Sequence, residues 1–186
     1  MLRFTDRSIC FFPMEMNIKT ELLADQKQSK RKAALIADHA CTSEEAFDEL
    51  FTCFISDDQR LTQRAAHSLS IAARKCPELV EPYIGTLVKQ LGRGDVHDAI
   101  LRNSARILED VPIPEDYHGE LIDIAFKYVV DTQTAIAIRA FSLTILYNLA
   151  LIYPEIKNEL RYTIEERMDY EGPAFISRGR KILARI

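Results

Sequence analysis

Four arginines recur along the sequence at an almost constant spacing. They follow one another at intervals of 38, 37 and 39 residues: Arg64, Arg102, Arg139 and Arg178. An aspartate precedes each of the first three: Asp58, Asp95 and Asp131. Guanidinium groups bind carboxylates and phosphates, so such residues can form a ladder of bonds between repeats or a basic row for a partner. The residues alone leave both interpretations open.

Other residue types that could carry chemistry do not form recognisable sites. The four histidines (His39, His67, His97 and His118) show no H-E-x-x-H spacing, and there is no nucleophile elbow or S-x-x-K motif. Glycine-rich phosphate loops are also missing from the sequence. We therefore predict no enzyme activity, no cofactor and no metal. A polar pocket that joined His97, Glu109 and His118 would favour an unrecognised enzyme, which stays open as a second alternative.

The cysteines and the overall charge exclude several classes of protein. Cys10, Cys41, Cys53 and Cys76 form no C-x-x-C pair, so the sequence offers neither a zinc site nor a thioredoxin-type motif. We interpret Cys53 and Cys76 as core residues and expect a reducing, cytoplasmic location. The composition, with 47% hydrophobic residues, 28% charged residues and a net charge of −4, is that of a globular protein.

The arginines must be positioned by helices, because the segments between them have helical periodicity. These segments are 44–55, 79–91, 120–130 and 156–168. In the third segment, Leu121, Ala125 and Val129 lie on one apolar side. Thr42 and Glu45 form a T-x-x-E capping box before the first segment. With a fainter first copy at 22–36, the sequence predicts five helix pairs, an all-α fold and a single domain.

Two stretches raise the question of targeting or membrane insertion. Residues 1–16 contain a short apolar patch without the features of a signal peptide, and we expect a loosely ordered extension before a domain at 17–186. Residues 134–153 are long enough to span a membrane, but Arg139 lies near their middle. We instead predict that the helix at 135–152 is the most buried in the protein, and we predict no membrane contact.

Helix pairs of about 38 residues, with an early Asp and a later Arg, resemble HEAT repeats, which stack into an armadillo-like α-solenoid, or superhelix. The resemblance covers about residues 20–186. In such repeats the Asp and Arg more often bond between adjacent copies, which implies a structural ladder for Arg64, Arg102 and Arg139. The chain also resembles small bacterial solenoids that have carried the label adenylosuccinate lyase, but the S-S-x-M-P-x-K-x-N loop of true lyases is missing from the sequence.

The resemblance implies a function in binding. A solenoid presents a large concave surface, so we expect a non-enzymatic scaffold that binds another macromolecule, most simply a protein. The first alternative is a nucleic-acid binder similar to the HEAT-like proteins that repair alkylated DNA. Basic clusters at 27–32 and 178–185 favour that alternative, while the acidic net charge and the lack of tryptophan disfavour it.

Overall fold

The chain folds into α-helices throughout the part that the structure, a computed structural model, describes: residues 16–27 and 29–186. Within these residues there are ten α-helices, joined by loops and 3₁₀ turns, and no strand. The helices are α1 (Ile18–Ala24), α2 (Lys30–Ala40), α3 (Glu44–Phe54), α4 (Gln59–Lys75), α5 (Ile84–Gly92), α6 (Asp98–Leu108), α7 (His118–Val130), α8 (Ile136–Ala150), α9 (Lys157–Arg167) and α10 (Pro173–Leu183). The predicted all-α class is confirmed.

The helices are arranged in five successive pairs. Within a pair the first helix packs on the second, as α3 does on α4 and α7 on α8. The second helices also pack on one another in chain order, from α2 through α4, α6 and α8 to α10. Each pair thereby covers the apolar side of its neighbour, which is the packing scheme of a solenoid. The predicted α-solenoid of about five helix pairs is confirmed.

Polar side chains begin most of the helices in the first three pairs, and one of them differs from the prediction. The hydroxyl oxygen of Ser43 accepts a hydrogen bond from the Ala46 amide and caps α3. We predicted Thr42 for this role, but its hydroxyl donates to the His39 carbonyl at the end of α2. Serine and threonine are both good caps, so adjacent residues of these types leave the exact first residue of a helix undecided in the sequence.

The core is built from aliphatic and phenylalanine side chains along the whole stack. Its largest members include Phe47, Phe54, Phe175, Leu69 and Leu121. The prediction that the helix at 135–152 is the most buried is wrong. Eight of the 15 residues of α8 are buried, against seven of the 11 residues of α6. One side of α8 lies at the surface, and Leu151 and Ile152 beyond its end are more than half exposed.

A disulfide connects the first two helix pairs. Cys41 directly follows α2, Cys76 directly follows α4, and their sulfurs are bonded. The sequence interpretation placed Cys76 in the core; the residue is buried, but as half of a disulfide that we did not predict. Cys53 is a buried free thiol in α3, and its burial raises the pKa of the thiol to about 11. A thiol that stays neutral at physiological pH is a packing residue rather than a nucleophile.

Two further sequence predictions concern the ends of the chain and the membrane. The extension predicted at residues 1–16 lies outside the described residues, apart from Met16. The hydrophobic stretch at 134–153 forms a helix of only 15 residues, α8, followed by a turn. No helix in the described ranges combines the length and the apolar character that a membrane span requires.

Candidate functional site

The second helices share a surface on which polar side chains from three consecutive helices converge. Gln63 and His67 of α4, Arg102 and Arg106 of α6, and Phe141 of α8 line one pocket there. Within each polar pair the residues are four positions apart, so both lie on the same side of their helix. We call the surface that these five residues form the second-helix face. The pocket at its centre, which Asn103 also lines, is called the arginine pocket and has a volume of about 150 Å³.

The arginine pocket is positively charged. None of its described lining residues is acidic, and within the described part of the chain no carboxylate lies within 4.0 Å of Arg102 or Arg106. Burial lowers the pKa of His67, and the positive charges of Arg106 and Lys30 lower it further. The amide of Asn103 is engaged by the Ala99 carbonyl at 2.7 Å. The pocket therefore combines two unpaired guanidinium groups with a histidine whose pKa is lowered.

Arg64, the first arginine of the repeated row, is buried and binds the backbone of the preceding helix pair. Its guanidinium donates to the Leu22 carbonyl at 2.6 Å and to the Gln26 carbonyl at 2.7 Å. These carbonyls belong to the end of α1 and the loop after it, where backbone acceptors have no partner within the helix. A positive group at a helix C-terminus also interacts favourably with the helix dipole. Arg64 thus joins two repeats, without an aspartate.

Arg139 binds a carboxylate that the sequence analysis did not identify. Its guanidinium donates to Glu171 Oε1 at 2.8 Å, and Arg167 donates to the same oxygen at 2.7 Å. The Glu171 side chain is completely buried, and the two arginine side chains are less than one-fifth exposed. Arg167 also donates to the Val130 carbonyl at the end of α7. We call these residues the Glu171 cluster; it connects α8 and α9 with the loop that precedes α10.

Arg178, the last arginine of the row, forms an ion pair with Glu109 and donates to the hydroxyl of Thr144. Its guanidinium carbon lies 4.9 Å from the centre of the Phe141 ring, within the range of a cation–π contact. Because Glu109 directly follows α6, this bond connects the third and fifth helix pairs across α8. Arg178 therefore flanks the second-helix face with its charge already neutralised.

The three predicted aspartates bind no arginine of the row. Asp58 caps α4, accepting from the amides of Arg60 and Leu61 at 2.9 and 3.1 Å. Asp95 pairs in an exposed loop with Arg93, which lowers the pKa of its carboxyl group. Asp131 is exposed and accepts from the Thr134 hydroxyl and the Gln133 amide, and these bonds lower its pKa. Each aspartate stabilises its own loop or helix start.

Of the predicted row, only Arg102 lines the arginine pocket, so the structure divides the row between two kinds of environment. Sequence reasoning missed Gln63, His67 and Arg106, which complete the pocket. Arg106 lies one helical turn after Arg102, a spacing that the sequence does display. Which residues of α4 lie opposite this pair, however, depends on how α4 is rotated relative to α6. The sequence of either helix alone does not reveal that rotation.

The residues named for the enzyme alternative are divided between two cavities. Glu109 and His118 line one cavity of about 380 Å³, and His97 lines another of about 430 Å³. Both ring nitrogens of His118 are engaged, by the Tyr153 hydroxyl at 2.9 Å and the Ile113 carbonyl at 2.8 Å. Glu109 is held by Arg178. Among the described residues, no three His, Cys, Asp or Glu side chains are grouped as metal ligands would be.

Comparison with known proteins adds one finding. A family model described as a HEAT repeat domain matches residues 19–186, which is nearly the whole chain. Neither a curated protein nor a solved structure matches the sequence.

Proposed function

Because the chain belongs to the HEAT repeat family, we propose that it is a non-enzymatic scaffold that binds another protein through a concave surface formed by the second-helix face. The observation that carries this proposal is the unpaired state of Arg102 and Arg106. Like charges four residues apart on a helix repel each other, and here no described carboxylate relieves the repulsion. An acidic partner would supply the missing charge.

A protein partner is favoured over nucleic acid because several cations of the second helices are already paired. Arg74 and Lys75 at the end of α4 pair with Asp110, in the turn after α6, and with Asp38 of α2. The predicted basic clusters are also partly neutralised, because Lys32 pairs with Glu21 and Asp25. Binding of a phosphate backbone gains most of its affinity from many unpaired cations in a row. A short basic patch within an acidic protein suits a limited acidic surface better.

Affinity capture with matched variants tests the proposal. The tagged chain, a variant with Arg102→Glu and Arg106→Glu, and a control with Lys89→Glu and Lys127→Glu are each incubated with untreated lysate and with nuclease-treated lysate. The control makes the same change in net charge on first helices, at two exposed lysines of α5 and α7.

A protein retained by the wild type and the control, but lost from the Arg102/Arg106 variant, would support a protein-binding second-helix face. Equal retention by all three chains would contradict it. A partner that disappears whenever nuclease is present would favour the nucleic-acid alternative.

We also propose a cytoplasmic location, as predicted from the sequence. The Cys41–Cys76 disulfide disfavours it, because cytosolic disulfides are rare, so this location requires the two thiols to be reduced for much of the time. Alkylation of thiols in intact cells, followed by mass spectrometry of the peptides, measures their state. Labelled Cys41 and Cys76 would support this location. If both remain bonded in freshly quenched cells, the protein belongs in an oxidising compartment.

A further inference from the structure

The arginine pocket has the dimensions of a site for one functional group. Gln63 and His67 of α4 face Arg102 and Arg106 of α6, and Phe141 of α8 closes one side. Its volume of about 150 Å³ is well below the roughly 300–1,000 Å³ of pockets that enclose whole small molecules. A pocket of this size accepts a single side-chain group and leaves the rest of the partner on the surface.

The pocket is rich in hydrogen-bond donors. A guanidinium group has five N–H donors and no acceptor, and the amide of Gln63 contributes further N–H groups. Two other arginines of the second helices are paired within the protein: Arg74 with Asp110, and Arg178 with Glu109. For Arg102 and Arg106, and for Lys30, whose charge also acts on His67, the described residues supply no carboxylate within 4.0 Å. The groups of the pocket that have no partner are therefore positively charged hydrogen-bond donors.

We propose that the arginine pocket binds an oxyanion, the carboxylate or phosphate group of an acidic segment of the partner protein; this inference rests on the proposed scaffold function. Two guanidinium groups on one side of α6 hold such a group through several charge-assisted hydrogen bonds. Gln63 donates from the opposite helix, and the Phe141 ring contacts the apolar part of the bound side chain. The site therefore recognises the charge and size of one acidic group rather than an extended peptide sequence.

His67 reports directly on occupancy of the pocket. Lys30 from α2 and Arg106 from α6 are the charged groups that act on its ring, and both add to the effect of burial in lowering its pKa. A bound oxyanion brings negative charge next to the imidazole, which favours the protonated form. The pKa of His67 should therefore rise when the pocket is filled. His39 lies outside the pocket and serves as an internal reference.

The test uses purified full-length protein and nuclear magnetic resonance of its histidine rings. The pKa of His67 is measured with rising inorganic phosphate, with rising acetate, and with sodium chloride at matched ionic strength. We expect phosphate to raise the pKa of His67 more than chloride does and to leave that of His39 at its chloride value. Arg102→Ala should weaken the response about tenfold, because it removes charge-assisted bonds. The control Arg180→Ala, at an exposed arginine of α10, should respond like the wild type.

A response of His67 to phosphate no larger than its response to chloride, or an undiminished response in Arg102→Ala, would overturn the oxyanion site. A response to phosphate alone would assign the site to phosphorylated side chains, and a response to acetate as well would assign it to carboxylates too. A response to micromolar duplex DNA would overturn the assignment to a protein segment.

The result is independent of the capture experiment. A phosphate response without a captured protein would retain the site and reject the scaffold function. A captured protein without a phosphate response of His67 would retain the scaffold function and reject the oxyanion site.

Discussion

Arg102 and Arg139 lie 37 residues apart, at equivalent places in the second helices of consecutive pairs, yet their surroundings are opposite. The guanidinium of Arg139 is largely buried against Glu171, whose side chain is fully buried. That of Arg102 is exposed beside Arg106, with no carboxylate near it among the described residues. Position within a repeat therefore does not determine the role of a residue.

The difference arises in the loop that follows along the solenoid. For Arg139 this is the loop between α9 and α10, which contributes Glu171. The equivalent loop for Arg102 lies between α7 and α8 and contains Asp131. The Asp131 carboxylate is already engaged by Gln133 and Thr134 of its own loop. Arg139 is thus part of the framework, whereas Arg102 has no described carboxylate within 4.0 Å.

The strongest way to break this comparison is to remove the carboxylate of the Glu171 cluster. In Glu171→Ala, Arg139 and Arg167 lose the group that neutralises both of them in a largely buried site. Loss of one member of a buried ion pair costs about 3–5 kcal/mol of unfolding free energy. Urea denaturation measures this loss of unfolding free energy, provided that the dependence of the free energy on urea concentration is the same as in the wild type. A shift of the midpoint equivalent to less than about 1 kcal/mol would show that the cluster does not hold the last repeats together.

A matched pair of arginine substitutions compares the two environments directly. Arg139→Leu should cost up to about 3 kcal/mol, less than Glu171→Ala, because Arg167 still neutralises the glutamate. Arg102→Leu should change the free energy of unfolding by no more than about 0.5 kcal/mol, as expected for a surface residue without partners. Equal losses from the two substitutions, measured as melting temperatures under one set of conditions, would mean that the division of the row is incorrect.

Arg64 provides a third, intermediate case. Arg64→Leu removes bonds to the carbonyls of Leu22 and Gln26 but leaves no buried charge behind. The expected cost is about 2 kcal/mol, since charge-assisted hydrogen bonds are worth about 1.5–3 kcal/mol and water can replace part of them. Hydrogen exchange should show the loss locally, as faster exchange in α1. If the amides of α1 exchange as slowly as in the wild type while those of other helices exchange faster, Arg64 does not hold the first helix in place.

The fold can be predicted from the sequence because each helix pair repeats the same local pattern. The spacing of the arginines and the apolar sides of the intervening segments depend on residues close together in the chain, and they were enough to predict five helix pairs. The partners of the arginines are different: Glu171 is 32 residues from Arg139, and Glu109 is 69 residues from Arg178. Which loop carboxylate meets which arginine depends on how neighbouring pairs stack.

The candidate site was only partly predictable for the same reason. Arg102 belonged to the predicted row, but Gln63 and His67 are ordinary polar residues of α4 whose spacing carries no recognisable motif. They line the same pocket as Arg102 and Arg106 because α4 packs on α6. The disulfide shows the same limit, since 35 residues separate Cys41 from Cys76 and the stacking of α2 on α4 brings them together.

The smallest expected effect is a dependence of stability on pH that comes from the arginine pocket. Burial and the charges of Arg106 and Lys30 lower the pKa of His67 in the folded protein, so the unfolded chain binds a proton more readily. This histidine therefore costs no stability above its unfolded pKa, near 6.5. As pH falls through that value toward the lower folded pKa, the protein loses stability.

In His67→Gln the difference between the urea midpoints measured above and below this pH interval should shrink, because the titrating group is gone. In Arg106→Ala the difference should shrink less, because burial and the charge of Lys30 still lower the pKa of His67. An unchanged difference in both variants would mean that the unpaired guanidinium of Arg106 does not act on His67, and the contrast with the neutralised Glu171 cluster would lose its electrostatic basis.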